Sequence, residues 1–239
     1  MPKTIAIFGA GTGLGASVAH RFGREGFRIA LIGRRPAPLD SLVRDLAADG
    51  IEAHAFPADL SNVTALPAFV EKITHHFGGI DVIEYAPVSN LTFHPAMELT
   101  AELLQGLVDL YLLAPVELVR AVLPQMLARS DGAILLGQGY SAVEGAPFMS
   151  GVGPVMAAAR NYIYSLHGEL APLGIYAGTL TVTAMIERSE GHSAATSGEF
   201  AIHLPEGQTL PVVSPDDLAD QYWELYTNRN RAEQIHPAA

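Results

Sequence analysis

A glycine-rich stretch directly after the first apolar run constrains the fold of this chain more than any other feature. Residues 4–8 (Thr-Ile-Ala-Ile-Phe) predict a strand that is buried on both faces. The next seven residues hold four glycines: Gly9, Gly11, Gly13 and Gly15. A helix-forming segment follows them. Such a turn lets a pyrophosphate approach the backbone and the free N–H groups that begin a helix, so this order predicts a dinucleotide site.

The glycines fit two spacings of such a site. The spacing G-x-x-x-G-x-G is matched by Gly9, Gly13 and Gly15. The relaxed spacing G-x-G-x-x-[G/A] is matched by Gly11, Gly13 and Ala16. We favour the first because Gly9 directly ends the strand, and we expect Thr12 and Leu14 to contact the cofactor with the glycines. The chain contains no G-x-x-x-x-G-K-[ST] sequence, so the pattern does not favour a P-loop.

The composition favours one large α/β domain. The chain has 239 residues, of which 49% are hydrophobic and 16% are charged, which is enough apolar material for a sizeable core. A formal net charge of −11 argues against nucleic acid as a partner. No apolar run reaches the roughly 18 residues that a membrane helix needs. We expect a cytoplasmic protein without a signal peptide, since the chain contains no cysteine and enters its first strand at once.

Strand and helix patterns alternate along the whole chain. Further strands are predicted at residues 28–32, 52–56, 81–85, 132–136 and 176–182. This alternation predicts a single Rossmann-like domain over residues 1–239, a doubly wound parallel sheet with helices on both faces. Residues 183–213 show almost no periodicity and are predicted to form a flap on the substrate side. The residues after 227 read as a short polar tail.

Two arginines follow the second predicted strand. In a Rossmann-type unit this strand end meets the adenosine ribose, and an acid there binds both ribose hydroxyls of NAD. Here the strand ends in Gly33, followed by Arg34 and Arg35, whose guanidinium groups can pair with a 2′-phosphate. The pattern therefore favours NADP(H) over NAD(H). The alternative interpretation is that both arginines are solvated surface cations.

Together these features resemble the short-chain dehydrogenase/reductase family across nearly the whole chain. The glycine motif matches, although Phe8 stands where threonine is usual, and the family's adenine-contacting Asp-Leu matches Asp59-Leu60. Further likenesses lie at Leu123–Met126, Gly168–Ala171 and Pro215–Ala219. The resemblance implies cofactor contacts at Asp59, Leu60 and Ala86. It also implies a homodimer or homotetramer that associates through the helices at 100–127 and 152–170.

The resemblance fails at the residues that perform catalysis in this family. Its enzymes use an Asn-Ser-Tyr-Lys tetrad, in which the Tyr exchanges a proton with the substrate and the Lys lowers the pKa of that Tyr. Carried over one position at a time, these four places fall on Asp109, Gly139, Val152 and Met156. No Tyr-x-x-x-Lys occurs in the chain, whose lysines are Lys3 and Lys72. The sequence therefore predicts a site whose adenosine-binding half matches the family and whose nicotinamide-binding and catalytic half does not.

Three residues are candidates for replacing the missing groups: Tyr140, Ser141 and Asp109. Each also has a structural interpretation, such as a loop anchor for Tyr140 or backbone support for Asp109. No spacing typical of a metal site is present, and we expect none.

Three functions stay open at this point. The chain could be an NADP(H)-dependent oxidoreductase of a small carbonyl or alcohol that uses a non-standard acid, such as Tyr140 or a water. It could instead bind NADP(H) without turnover, as a sensor or a partner subunit. The third reading is an enzyme of non-redox chemistry on the same fold.

Overall fold

The described residues form a parallel sheet that helices cover on both faces. The structure, a computed structural model, describes residues 2–89, 94–197 and 211–238. Its strands are β1 (Thr4–Phe8), β2 (Arg28–Gly33), β3 (Ala53–Pro57), β4 (Val82–Tyr85), β5 (Gly132–Gly139), β6 (Ile175–Val182), β7 (Met185–Ile186), β8 (Val212–Val213) and β9 (Glu233–His236). Its helices are α1 (Leu14–Arg24), α2 (Pro36–Ala48), α3 (Leu66–Phe77), α4 (Ala101–Val108), α5 (Ala114–Arg129), α6 (Val152–Leu170), α7 (Glu190–Ser197) and α8 (Pro215–Asn228).

The sheet has the topology of a Rossmann-like doubly wound fold, which confirms the predicted fold class. Within the described residues its seven strands run in the order β3-β2-β1-β4-β5-β6-β9, and all of their pairings are parallel. The chain moves outward from β1 to β3 and then returns to the other side of β1 with β4. Ligands of such sheets bind where the order reverses, outside the carboxyl ends of the strands. The glycine-rich turn follows β1 at this edge.

The central strands are largely apolar because both faces of the sheet are buried. Along β1, Ile5 and Ile7 pack on the side of α1, α2 and α8, whereas Ala6 and Phe8 pack on the side of α3, α5 and α6. All four side chains are 0% exposed. Burial of side chains as large as these isoleucines and the phenylalanine contributes about 1.5–3 kcal/mol each. The first strand therefore fixes the two-sided packing on which the glycine turn rests.

The last strand of the sheet corrects the prediction of a polar tail. β9 carries three polar residues and only one aliphatic residue, Ile235, so it lacks the apolar pattern by which strands are recognised. It is the outermost strand on its side of the sheet, where it pairs with β6 alone and is half-buried. Glu233 fastens it to α6, because Arg160 donates to both carboxylate oxygens at 2.8 and 2.6 Å.

The predicted flap at 183–213 contains short regular elements in the part that the structure describes. β7 and β8 pair in parallel, and α7 lies between them in the sequence. Residues 198–210 of the flap lie outside the described residues. The segment from Met185 to Ser197, here called the flap arm, therefore has defined contacts with the rest of the domain.

The long helical pattern around residues 100–127 forms two helices joined by a π-helical turn. α4 and α5 are connected through Asp109–Leu113, and Pro115 is the second residue of α5. Pro115 thus lies two residues after a turn that has one extra residue in its hydrogen-bonded ring. No helix within the described ranges combines the length and apolarity that crossing a membrane requires.

Candidate functional site

The glycine-rich turn is shaped by close backbone contacts. Gly9 has a φ of +105°, and a Cβ there would lie 2.7 Å from Pro87 Cα. A Cβ on Gly15 would lie 2.8 Å from Ala10 Cα, whereas one on Gly11 would meet no atom nearer than 3.8 Å. Since side chains cannot tolerate such short contacts, Gly9 and Gly15 are required by the turn itself. Gly11 stands on the open side, which agrees with the favoured spacing.

The start of α1 offers backbone donors beside this turn. Ala16 and Ser17 donate their N–H groups to the carbonyls of Gly11 and Gly13. The N–H groups of Leu14 and Gly15 have no hydrogen-bond acceptor within the described residues. The first turn carries no acidic residue and no side-chain cap. Free N–H groups and the positive end of the helix dipole are the features that bind phosphate groups at helix N-termini.

The arginines after β2 lie at the same edge of the sheet. Arg35 precedes the first residue of α2, and its guanidinium donates to Glu190 of the flap arm. Hydrogen bonds from the Ser61 hydroxyl and N–H, with Arg34 nearby, hold the pKa of the Asp59 carboxyl below its ordinary value. The arginines are therefore near the predicted adenosine residues, although Arg35 is engaged by protein.

The remaining predicted adenosine contacts belong to the framework of the site. Leu60 is buried in the core on the α3 side of the sheet. Ala86 donates its N–H to the Phe8 carbonyl at 3.0 Å, which ties the end of β4 to the end of β1. The structure thus brings the glycine turn, the two arginines and the segment 59–60 together along one sheet edge.

The flap arm lies directly on the glycine turn. The Thr12 hydroxyl donates to the Arg188 carbonyl at 2.9 Å. A Cβ on Gly13 would stand 3.1 Å from both Cα and Cβ of Ser189. The arm and the turn are therefore in van der Waals contact at Thr12 and Gly13.

The positions onto which the family's Tyr and Lys fall, Val152 and Met156, have apolar surroundings. Val152 is 0% exposed and packs in a cluster with Leu107, Tyr111 and Val155. Met156 packs against the same cluster. Lys3 precedes β1 at the opposite edge of the sheet and binds Asp131, so it is far from the glycine turn. Lys72, the second lysine of the chain, lies on α3 and faces Phe56.

Asp109 faces away from this cluster. Its carboxylate accepts a hydrogen bond from the Gln105 amide at 2.7 Å. It borders a surface groove of about 380 Å³ whose other lining residues are Ser61, Asn62, Val63, Thr64 and Leu113. The structure therefore does not bring Asp109 together with Val152, and Tyr111 occupies the side that faces α6.

Tyr140 and Ser141 follow β5 at the carboxyl edge of the sheet, as predicted. The Tyr140 hydroxyl donates to Glu144 at 3.2 Å, and this hydrogen bond to a carboxylate raises the pKa of the phenol. Gly139 ends β5 just before them. The Ser141 carbonyl packs against the start of α6, where a Cβ on Gly153 would lie only 2.9 Å from it. Tyr140 thus has the opposite electrostatic setting to an activated phenol.

Two further phenols lie near this region: Tyr85, which the sequence places beside the same pocket as Asp109, and Tyr111, which the sequence marks only as part of a helical pattern. The Tyr85 hydroxyl donates to the Leu110 carbonyl, and burial, aided by the neighbouring Tyr111, raises the pKa of Tyr85 well above its ordinary value. The Tyr111 hydroxyl accepts the Ser89 N–H at 2.8 Å. Tyr85 ends β4 and Tyr111 lies in the π-helical turn, so only the tertiary contact reveals them as a pair. Among the described residues, no three His, Cys, Asp or Glu side chains converge on a point where a metal ion could bind.

Comparison with known proteins gives consistent likenesses. A family model described as short chain dehydrogenase matches residues 3–190. A fatty acyl-CoA reductase of Mycobacterium tuberculosis is 27% identical over 98% of this chain and 86% of its own length. A dehydrogenase/reductase SDR family protein 7-like of Drosophila melanogaster is 25% identical over 92% of this chain and 68% of its own length.

Solved structures share the fold. An actinorhodin polyketide ketoreductase variant with NADPH superposes with a TM-score of 0.86 at 21% identity, covering 98% of this chain and 95% of that one. An L-sorbose reductase of Gluconobacter frateurii, complexed with NADPH and L-sorbose, gives a TM-score of 0.86 at 22% identity, covering 98% and 94%.

Proposed function

Because this chain belongs to the short-chain dehydrogenase/reductase family, we propose that it binds NADP(H) across the glycine turn and acts as an oxidoreductase. Its substrate would be a small carbonyl compound or alcohol. The observation that carries the proposal is the pair Arg34 and Arg35 after β2, beside a turn that presents free backbone N–H groups. Two relatives in fold hold NADPH in their structures, which supports the same cofactor class.

The residues present fit the chemical parts of this cofactor. The N–H groups of Leu14 and Gly15 suit a pyrophosphate, and the guanidinium groups of Arg34 and Arg35 suit a 2′-phosphate. Asp59, Leu60 and Ala86 border the expected adenosine position. When bound, NADP(H) supplies the hydride that this family transfers.

The proton for such a reaction needs a source other than a Tyr-Lys pair. Val152 and Met156 carry no titratable group, and neither lysine of the chain lies near the glycine turn. We propose that a water supplies the proton, because Tyr140 donates to a carboxylate that stabilises its protonated form. The site is therefore a non-standard one within its family.

Replacement of Tyr140 tests this proton source. We expect Tyr140→Phe to leave kcat/KM for NADPH oxidation within about twofold, since a positioned general acid contributes about 10²–10⁴ in rate and its loss would be plain. The measurement is steady-state oxidation of NADPH with a panel of activated carbonyls and enones. A loss of 100-fold or more would identify Tyr140 as the acid and contradict the water proposal.

Replacement of Arg35 tests the cofactor assignment. Isothermal titration of the wild type should give a measurable Kd for NADPH, and Arg35→Ala should weaken NADPH about tenfold through loss of a charge-assisted hydrogen bond. NADH, which lacks the 2′-phosphate, should change by less than about twofold. Equal losses for both cofactors would show that Arg35 does not recognise the 2′-phosphate. Undetectable binding of both at millimolar concentration would remove the proposed function.

A second candidate function is binding of NADP(H) without turnover, as in a sensor or a partner subunit. The burial of Val152 in an apolar cluster favours it, because no proton donor stands at that position. It predicts a measurable Kd for NADPH together with no oxidation of NADPH by any carbonyl of the panel. A turnover that continues when nicotinamide is left out would instead indicate non-redox chemistry.

A further inference from the structure

The flap arm, Met185 to Ser197, occupies the mouth of the proposed cofactor site. At Thr12 the contact is a hydrogen bond of 2.9 Å to the Arg188 carbonyl. At Gly13 the backbone of Ser189 approaches so closely that a Cβ would stand only 3.1 Å away. A pyrophosphate that approaches the glycine turn at these residues must therefore displace the arm.

Several contacts hold the arm in this place. Arg188 has a φ of +59°, a conformation that side-chain-bearing residues rarely adopt, so its surroundings must enforce it. Its guanidinium donates to Asp216 at 2.7 Å. Ser189 stabilises the start of α7, because its hydroxyl accepts the His192 N–H at 3.0 Å. The arm is therefore tied to the start of α8 through Arg188, and an internal hydrogen bond fixes the start of its helix.

The same arm places a carboxylate on the cofactor-selecting arginine. The guanidinium of Arg35 donates to Glu190, which lies 155 residues away in the sequence. The contact joins Arg35 Nη2 to Glu190 Oε1, and because a phosphate presents the same kind of anionic oxygen, carboxylate and phosphate compete for this donor. The two side chains are 65% and 66% exposed, which makes this ion pair weak and readily exchanged.

We propose that Glu190 is a specificity-determining residue that competes with the 2′-phosphate of NADP(H) for Arg35. In the closed arrangement the flap arm covers the glycine turn and Glu190 occupies the Nη2 donor of Arg35. Either dinucleotide must lift the arm from the glycine turn, but only the 2′-phosphorylated one brings a group that replaces the carboxylate of Glu190 on Arg35. This inference rests on the proposed binding of NADP(H) and adds the residue that opposes it.

Neutralisation of Glu190 tests the competition. Glu190→Gln should tighten the Kd of NADPH about 3–10-fold and change that of NADH by at most about twofold. The matched control is Glu187→Gln, which removes the same charge from the same arm at an exposed residue without an ion pair to any described residue. We expect the control to bind both cofactors like the wild type.

The Arg35→Ala background separates this inference from the proposed function. If Glu190 acts through Arg35, Glu190→Gln should give no gain in NADPH affinity once Arg35 is absent. An unchanged or weaker Kd for NADPH in Glu190→Gln, while the wild type binds NADPH, overturns the competition alone. Absence of NADPH binding in every variant overturns the proposed function and the competition together.

Motion of the arm provides a second, independent measurement. The chain contains no cysteine, so Thr196→Cys gives a single attachment point for a nitroxide on an exposed residue of α7. The spectrum of this label should show a different mobility at saturating NADPH from that of the free protein. Saturated binding with an unchanged spectrum would show that the arm does not give way, and would contradict the inference.

Discussion

Replacing Glu84 by glutamine should stabilise the fold more at pH 8 than at pH 5. The free energy of unfolding of the variant, relative to that of the wild type, should be about 3 kcal/mol higher at pH 8 than at pH 5. Glu84 lies on β4 with 1% of its surface exposed, and burial raises the pKa of its carboxyl from 4.5 to about 8. The neighbouring Tyr222 hydroxyl lowers the pKa of Glu84 and so offsets part of the effect of burial. The two groups do not reach hydrogen-bonding geometry, however, and Glu84 Oε1 and the Tyr222 hydroxyl are both buried without a partner among the described residues.

The direction of the effect follows from proton linkage. The folded chain holds a proton on Glu84 that the unfolded chain releases near pH 4.5, so the stability due to this proton is fully present below that pH. It is lost progressively as the pH rises toward 8. Glutamine keeps the shape and cannot ionise, so the free energy of unfolding of the variant should fall less over this range.

Urea unfolding of both proteins from pH 5 to pH 8 measures this difference directly. The matched control is Glu71→Gln, which removes the same charge from an exposed position on α3. A wild type and a Glu84→Gln variant with parallel pH profiles would mean that Glu84 is ionised in the folded protein. In that case a buried counter-charge would have to be sought.

Replacing Gly9 by alanine should cost on the order of 3 kcal/mol of stability and weaken NADPH binding at least about tenfold. Two effects add: a φ of +105° strains an alanine, and its Cβ would lie 2.7 Å from the Pro87 backbone. Relief of that clash must push apart the ends of β1 and β4, which carry the proposed pyrophosphate site. Thermal unfolding and titration with NADPH give the two quantities.

Gly11→Ala is the matched control for this substitution. It adds the same methyl group two residues away, where the nearest atom would be 3.8 Å off and φ is not positive. We expect its stability to stay within about 0.5 kcal/mol of the wild type. Equal destabilisation of both variants would show that the turn tolerates no side chain anywhere, rather than requiring glycine at Gly9.

The fold was largely predictable from the sequence because most of its elements carry local patterns. The central strands are mostly apolar runs of four to eight residues between turn signals, and the amphipathic helices repeat at the helical period. β9 was not predictable in this way, since Ile235 is its sole apolar residue. It becomes a strand through its pairing with β6 and the bond between Glu233 and Arg160, and both depend on tertiary structure.

The site was predictable only where a local backbone pattern defines it. The glycine-rich stretch directly follows β1 in the sequence and the two arginines directly follow β2, so both could be located without the structure. The contact of Arg35 with Glu190 joins residues that share no sequence pattern, and no count along the chain could reveal it. The placement of Asp109 in a surface groove, away from Val152, depends likewise on helix packing, so whether Asp109, Ser141 or Tyr140 takes part in chemistry stays a prediction.

In the π-helical turn at Asp109–Leu113, the number of residues, and not only their identity, decides which side chains of α4 face α6. A helix advances about 100° per residue, so a single extra residue swings everything before the turn relative to everything after it. The face of α4 that carries Leu107 toward Val152 is thus aimed by the number of residues in the turn. Shortening the turn by one residue would present a different row of side chains to α6 without changing any of them.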